Sequence, residues 1–293
     1  MKKIFCLLAA LYFYSNAFSF PSDSIEHSKI YHVNRLVESS IIVGGGLADY
    51  FENNRIDNKA GIYDEELLFL NTKAQRDLIN PFDRWVLNLP ITNRSIYQQM
   101  SGYGMGAIIV LPFLLLINKE IRKDWLDLLL MYTEGHTVVF TYYNFSFFGP
   151  TFQNRFRPLV YNTDISAHVR ESAINRNSFY SGHVASSAYS TFFMAKVYCD
   201  YHPDLGSTKC LIYAAALVPP LLEGYVRVKA LEHFPSDVAV GLGLGAILGI
   251  LIPELHKNHF NKNLSLSMFS SSDGMGMSML WKIPSHKLIA SSR

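Results

Sequence analysis

The chain has 293 residues, of which 49% are apolar and only 17% charged. A typical soluble domain carries roughly 25% charged residues, so the apolar side chains here exceed what a soluble core needs and point to a lipid-facing surface. The formal charge of +2, with no basic stripe or arginine-rich tail, excludes a nucleic-acid partner.

In chain order, Lys2 and Lys3, the apolar stretch 4–14 and the small residues around Ala17 read as an export signal, either cleaved or kept as an anchor helix. Residues 20–100 are polar and mixed, punctuated by Pro81 and Pro90, and read as an extracytoplasmic region of amphipathic helices. Within them the stretch 36–51 is mildly apolar, but Glu38 and Asp49 make it too charged for a span. Five apolar stretches follow, at 101–117, 125–148, 183–197, 210–222 and 237–252. Lys119, Arg122 and Lys123 between the first two place that loop on the cytoplasmic side. Residues 149–182 and 223–236 then fall outside, and the export signal leads to the same topology.

Gly241, Gly245 and Gly249 recur every fourth residue inside an apolar stretch, a pattern for close helix packing rather than a nucleotide loop. In the tail, alternation over 264–269 and 275–281 around Ser272-Asp273-Gly274 predicts a β-hairpin. His256 and His259 read as surface residues, and no metal or other cofactor is expected. Cys6 lies in the signal, and Cys199 and Cys210 are expected to be free thiols. The predicted fold class is all-α, a membrane-embedded helical bundle of about five spans plus an N-terminal signal or anchor helix, with a small C-terminal β-hairpin. Its parts are a signal or anchor (1–19), an N-terminal helical region (20–100), a core (101–252) and a tail (253–293).

Three polar clusters fall on the predicted outer face. In the third, Asp237 follows His233 by one helical turn and is placed to take the hydrogen on Nδ1, leaving Nε2 as a nucleophile. Arg227, nearby in sequence, offers a planar fork to phosphate oxygens. In the second, Ser181-Gly182-His183 opens a span. Helix N-termini favour anions, Ser181 adds a hydroxyl donor, Gly182 allows close backbone approach, and His183 is placed to protonate a leaving oxygen. The first is Arg155 and Arg157-Pro158. Taken singly, each cluster also fits a plain structural role: a cap, an interfacial histidine, or arginines on lipid headgroups. Glu134, inside the second span, either orients an arginine or makes an interhelical hydrogen bond.

Taken together, the clusters resemble the type 2 phosphatidic acid phosphatase family, related to the vanadium haloperoxidases. The family signature is Lys-x6-Arg-Pro, Pro-Ser-Gly-His and Ser-Arg-x5-His-x3-Asp. Arg157-Pro158, Ser181-Gly182-His183 and Arg227…His233…Asp237 match it, while Pro150, Tyr180 and Val226 stand where the family has lysine, proline and serine. The resemblance implies metal-independent hydrolysis of a lipid phosphate monoester or diphosphate through a phosphohistidine. In it, His233 is the nucleophile, Asp237 orients it, and His183 is the acid and then the base. Arg157, Arg227, Ser181 and Gly182 hold the phosphate, with Arg155 offsetting the missing lysine. The implied setting is a bacterial inner membrane with the site on the periplasmic face, and the implied partners are the lipid phosphate and membrane lipids. Candidate substrates are undecaprenyl diphosphate, phosphatidic acid, phosphatidylglycerophosphate and lipid A phosphates. The competing readings are a soluble periplasmic acid phosphatase and a weakened protein that binds lipid phosphate without turnover.

Overall fold

Among the described residues the chain forms six long helices. Asn34 caps the first, its side chain accepting from the backbone N–H groups of Leu36 and Val37. The helices are α1 (Arg35–Asp57), α2 (Arg94–Val110), α3 (Trp125–Phe145), α4 (Gly182–Tyr201), α5 (Thr208–Lys229) and α6 (Pro235–Leu255). At Pro112, which cannot donate to a helical ladder, α2 gives way to a 3-10 stretch, Leu111–Ile117. The coordinates come from a computed structural model that describes residues 29–147, 149–257, 264–271 and 274–281. The expected signal segment, Cys6, His259 and turn residues 272–273 lie outside the described residues.

Helix α4 is the axis of the bundle, packed by α6, α5, α2 and α3. It buries Ser186, Ser187, Ser190 and Thr191, and two of these hydroxyls donate to carbonyls one turn back, Ser190 to Ser186 at 2.8 Å and Thr191 to Ser187 at 3.2 Å. The glycine ladder of α6 sets the closest contact. A Cβ on Gly241 would lie 2.5 Å from the Ser181 carbonyl oxygen, one on Gly245 2.1 Å from that of Ala185, and one on Gly249 2.8 Å from that of Tyr189. These pairs climb both helices together, so α4 and α6 run parallel and their N-termini meet at one end. Helix α3 runs antiparallel to α4, with Tyr143 against Tyr180 at one end and Tyr201 Oη on Asp124 at the other. Helix α1 lies along α3, with Gly45 against Thr137 and Asp49 accepting from Asn144 at 3.0 Å.

The fold is an all-α multi-span helical bundle, and the expected class is corrected on two points. Among the described residues three helices, Arg94–Ile117, Thr208–Lys229 and Pro235–Leu255, are long and apolar enough to cross a membrane, rather than about five. Helices α3 and α4 have the length without the composition, because a helix surrounded by other helices needs no lipid-compatible surface. Helix α4 is buried among its neighbours, and α3 turns Asp127, Glu134 and Asn144 inward. The second point concerns the tail, where β1 (Leu264–Ser271) and β2 (Gly274–Trp281) pair antiparallel with each other. This ladder is not a component of the bundle, and among the described residues no strand enters it. Leu211, Leu222 and Tyr225 on α5 and Ile247 on α6 remain exposed, a face suited to lipid.

Candidate active site

The site grows from the end of α5. Leu231 takes a left-handed conformation, φ 58°, just past the helix. The Leu231 N–H bonds the Val228 carbonyl at 3.0 Å and the Glu232 N–H bonds that of Arg227 at 3.1 Å. This is the paired C-terminal closure that glycine usually supplies. It folds the chain back so that Glu232 and His233 face Arg227. The Leu231 carbonyl then receives the Leu159 N–H at 3.1 Å, and the Arg157 N–H bonds the Asn175 carbonyl at 2.8 Å. The Arg155–Pro158 loop is thereby pinned between the residues before α4 and the turn after α5. Across the α4–α6 contact, the Ser181 N–H bonds the Asp237 carbonyl at 3.1 Å.

His233 is 2% exposed, and its Nδ1 lies 2.6 Å from the Ser178 carbonyl oxygen. That acceptor, and not Asp237, takes the ring hydrogen; the nearer Asp237 oxygen is 3.9 Å from Nδ1. The expected direct His–Asp pair is corrected accordingly. A turn of helix begins at Pro235, so Asp237 points back to cap Phe234 N–H at 2.8 Å and to accept from Ser178 Oγ at 2.6 Å. Asp237 therefore holds Ser178, and Ser178 holds His233. Burial first, then the charges of Arg227 and Arg157, keep the His233 imidazole well below the ordinary histidine range. The ring is neutral, with the lone pair on Nε2.

Arg157 and Arg227 both converge on Glu232, which is 2% exposed. Arg94, at the start of α2, joins them, donating to Glu232 Oε1 at 3.0 Å and to the Ala230 carbonyl at 3.1 Å. Ser101 Oγ accepts from Arg227 at 3.4 Å and donates to the buried Glu223. Arg157 Nε, Arg227 Nε and Ser181 Oγ are buried and have no hydrogen-bond partner. Buried polar atoms are nearly always paired, so these donors are open to an acceptor, as are the buried Ser186 and Ser187 hydroxyls further along α4. His183 stands within the field of both Arg227 and Arg157. A Cβ on Gly182 would meet only the Tyr143 ring, at 3.8 Å, so packing does not demand this glycine.

The expected phosphate role of Arg155 is corrected by its contacts. One guanidinium nitrogen lies 2.7 Å from Asp83 and another 2.8 Å from Asp237, both fully buried. Its carbon sits 5.1 Å from the centre of the Phe234 ring. Arg155 clasps two carboxylates, and Asp83 also receives the Ser236 N–H and hydroxyl at 2.9 and 2.6 Å. Burial pushes the Asp83 carboxyl up, but the Ser236 and Asn80 hydrogen bonds and Arg155 bring it below its usual range. Glu134 does not orient an arginine; it meets His256 instead. Near Pro150, where the resemblance lacks its lysine, Lys59 arrives from beyond α1. Its ammonium donates to the Pro150 carbonyl, to Asn177 Oδ1 at 2.9 Å and to Asn154 Oδ1 at 3.0 Å. Reading the sequence alone missed Arg94, Ser101, Glu232, Asp83, Ser178 and Lys59. Glu232, adjacent to a singled-out histidine, was the one with a local signal. Two surface cavities, of about 350 and 230 Å³, lie beside Arg76 and Arg84 and beside Lys59 and Arg176, and neither is lined by His183, His233, Arg157 or Arg227.

Residues 125–261 match the family model of the PAP2 superfamily. That stretch of the chain is similar to the PAP2 superfamily. The matched part takes in α3 to α6 and with them the Arg157, Ser181 and His233 clusters, while Arg94, Ser101, Asp83 and Lys59 precede it. Among solved structures, the crystal structure of the first transmembrane PAP2 type phosphatidylglycerolphosphate phosphatase, from Bacillus subtilis, is 20% identical. That similarity covers 74% of this chain and 96% of the other, with a TM-score of 0.42. No curated protein matches the chain. The match over residues 125–261 supports a hydrolase of the PAP2 kind in general, acting among membrane lipids.

Proposed function

We propose that this protein is a membrane phosphatase that removes phosphate from a lipid phosphate monoester or diphosphate through a phosphohistidine. The observation that carries the reading is the set of unpaired buried donors, Arg157 Nε, Arg227 Nε and Ser181 Oγ, beside a neutral imidazole whose Nδ1 hydrogen is already committed. Donors fixed in advance around an oxyanion stabilise the charge that develops in the transition state and need no reorganisation when it forms.

The phosphoryl oxygens take the place that solvent is denied. His233 Nε2 attacks phosphorus, and the P–N bond forms as the bond to the leaving oxygen breaks. His183, which takes up a proton when the negatively charged phosphate binds beside it, gives that proton to the leaving oxygen. Water then attacks the phosphohistidine, His183 takes the proton of the water, and the P–N bond breaks to release phosphate and neutral His233. Arg157 and Arg227 supply positive charge throughout, so the proposed chemistry requires no metal. Asp237 acts as a positioning residue through Ser178. The phosphatidic acid, phosphatidylglycerophosphate, undecaprenyl diphosphate and lipid A classes all present the required group at an outer leaflet, the periplasmic face of a bacterial inner membrane.

The test is phosphate release by purified protein from a panel of these lipids, with and without EDTA. Release from at least one lipid is expected to persist in EDTA and to vanish in His233→Ala. Full turnover by that variant removes the nucleophile. Tight binding of a lipid phosphate by the wild type without any release favours a protein that kept the cradle and lost the chemistry.

A further inference from the structure

A second cluster of ionisable groups lies at the other end of α6. His256 follows the C-terminus of this helix, whereas Asp237 is in its first turn, so about 30 Å of helix separates the cluster from the candidate active site. Glu38 comes from the first turn of α1 and Glu134 from the middle of α3. His256 Nε2 lies 3.2 Å from Glu38 Oε1 and 3.3 Å from Glu134 Oε2, and the three atoms all stand within 4.8 Å of one another.

The other ring nitrogen decides what this means. His256 Nδ1 is 2.8 Å from the Ile252 carbonyl oxygen, an acceptor that claims the ring hydrogen. In the neutral ring the Nε2 lone pair is therefore turned towards two carboxylates, and three electron-rich atoms face one another. Glu134 Oε2, on a residue only 6% exposed, has no hydrogen-bond partner. Two carboxylates at this depth in a helical bundle are expensive unless a positive charge joins them.

We propose that Glu38, Glu134 and His256 are the ligands of a divalent cation of the zinc class. Ligand atoms about 2.0–2.1 Å from a tetrahedral ion stand about 3.3 Å apart, which matches the two distances from Nε2. One imidazole and two carboxylates suit zinc or a neighbouring transition ion better than magnesium or calcium, which prefer all-oxygen sets. The hydrogen bond from Nδ1 to Ile252 is the outer contact that fixes the tautomer of a metal-ligating histidine. Such an ion ties α1, α3 and the end of α6 together. The same corner is already closed by the His32 N–H on the His256 carbonyl at 2.7 Å. The role is structural and independent of the phosphatase reading.

The full chain, purified in detergent, is equilibrated with zinc, dialysed against metal-free buffer and assayed for bound metal by mass spectrometry. One zinc per chain is expected, lost in Glu134→Gln and in His256→Gln. The thermal midpoint of the wild type should rise with zinc and fall with EDTA, and neither variant should respond. If the variants fold poorly, cobalt(II) titration of the wild type is decisive. It should give visible absorption bands that zinc abolishes. A wild type that retains no zinc and shows no cobalt bands overturns the proposal, leaving an imidazolium held between two carboxylates. Zinc retained by both variants, or an equal thermal response to magnesium, also overturns it. The His233→Ala protein should bind zinc normally, so failure here and failure of the phosphatase reading are separable.

Discussion

At His233 a hydrogen bond 2.6 Å long to a backbone carbonyl does the orienting that a carboxylate usually receives credit for. The carboxylate of Asp237 acts one step removed, through Ser178 Oγ. Sequence spacing suggested a direct pair, since residues four apart share a helix face. Proline at 235 starts the helix after His233, so the spacing rule does not apply across that boundary. Arg155 teaches a related lesson. The family resemblance suggested that it offsets the missing lysine, yet two fully buried carboxylates claim it first. His183 is the residue whose proposed role is most open to kinetic separation. Its replacement by alanine should lower kcat on an alkyl phosphate by about 10²–10⁴-fold, the usual contribution of a general acid. Hydrolysis of an aryl phosphate, whose leaving group needs no proton, should fall far less in phosphorylation of the enzyme. Equal losses on both substrates in single-turnover experiments would assign His183 to binding instead.

Among the helices, the contact between α4 and α6 determines whether the clusters meet. Ser181 opens one helix and Asp237 lies in the first turn of the other, and their backbones join only because glycine at 241, 245 and 249 lets the axes approach. The four-residue glycine period was legible as a packing stripe, but its partner helix was not, because periodicity states that a face is smooth and not what lies on it. Gly245→Leu places a side chain where even a Cβ would stand 2.1 Å from a carbonyl oxygen. Overpacking typically destabilises by about 1–3 kcal/mol, and contact with rigid backbone should put this variant at or above the upper end. The expected outcome is a lower thermal midpoint together with lost phosphatase activity. Gly243→Ala, on a glycine with nothing within 4 Å of an added Cβ, should leave both unchanged.

The molecule as a whole places its polar chemistry where lipid cannot reach it. Helices α2, α5 and α6 carry the apolar surface, while α4 keeps its serines and Lys196 inside. The protein should therefore stay with the membrane in alkaline carbonate and leave it only in detergent. Release by carbonate would sink the membrane reading and favour a soluble phosphatase with the same cradle. Among the described residues three helices have the apolar composition of a span, where the sequence suggested about five. Exposure to lipid is a property of the assembled bundle, and the most buried helix has the least need to be greasy.

The sequence by itself determined the local chemistry: helices from apolar runs, a packing stripe from repeated glycines, and three clusters of arginine, histidine, serine and carboxylate side chains. These properties depend on neighbours within a few residues. The tertiary structure alone decided which charges are free. Glu232, Asp83 and Arg94 reach the site from separate segments and turn one guanidinium into a clasp while leaving the inner nitrogens of two others unpaired. It also brought Glu38, Glu134 and His256 within reach of one ion. Electrostatic partnership falls steeply with distance and burial, and separation along the chain says little about distance between buried groups once the helices have packed.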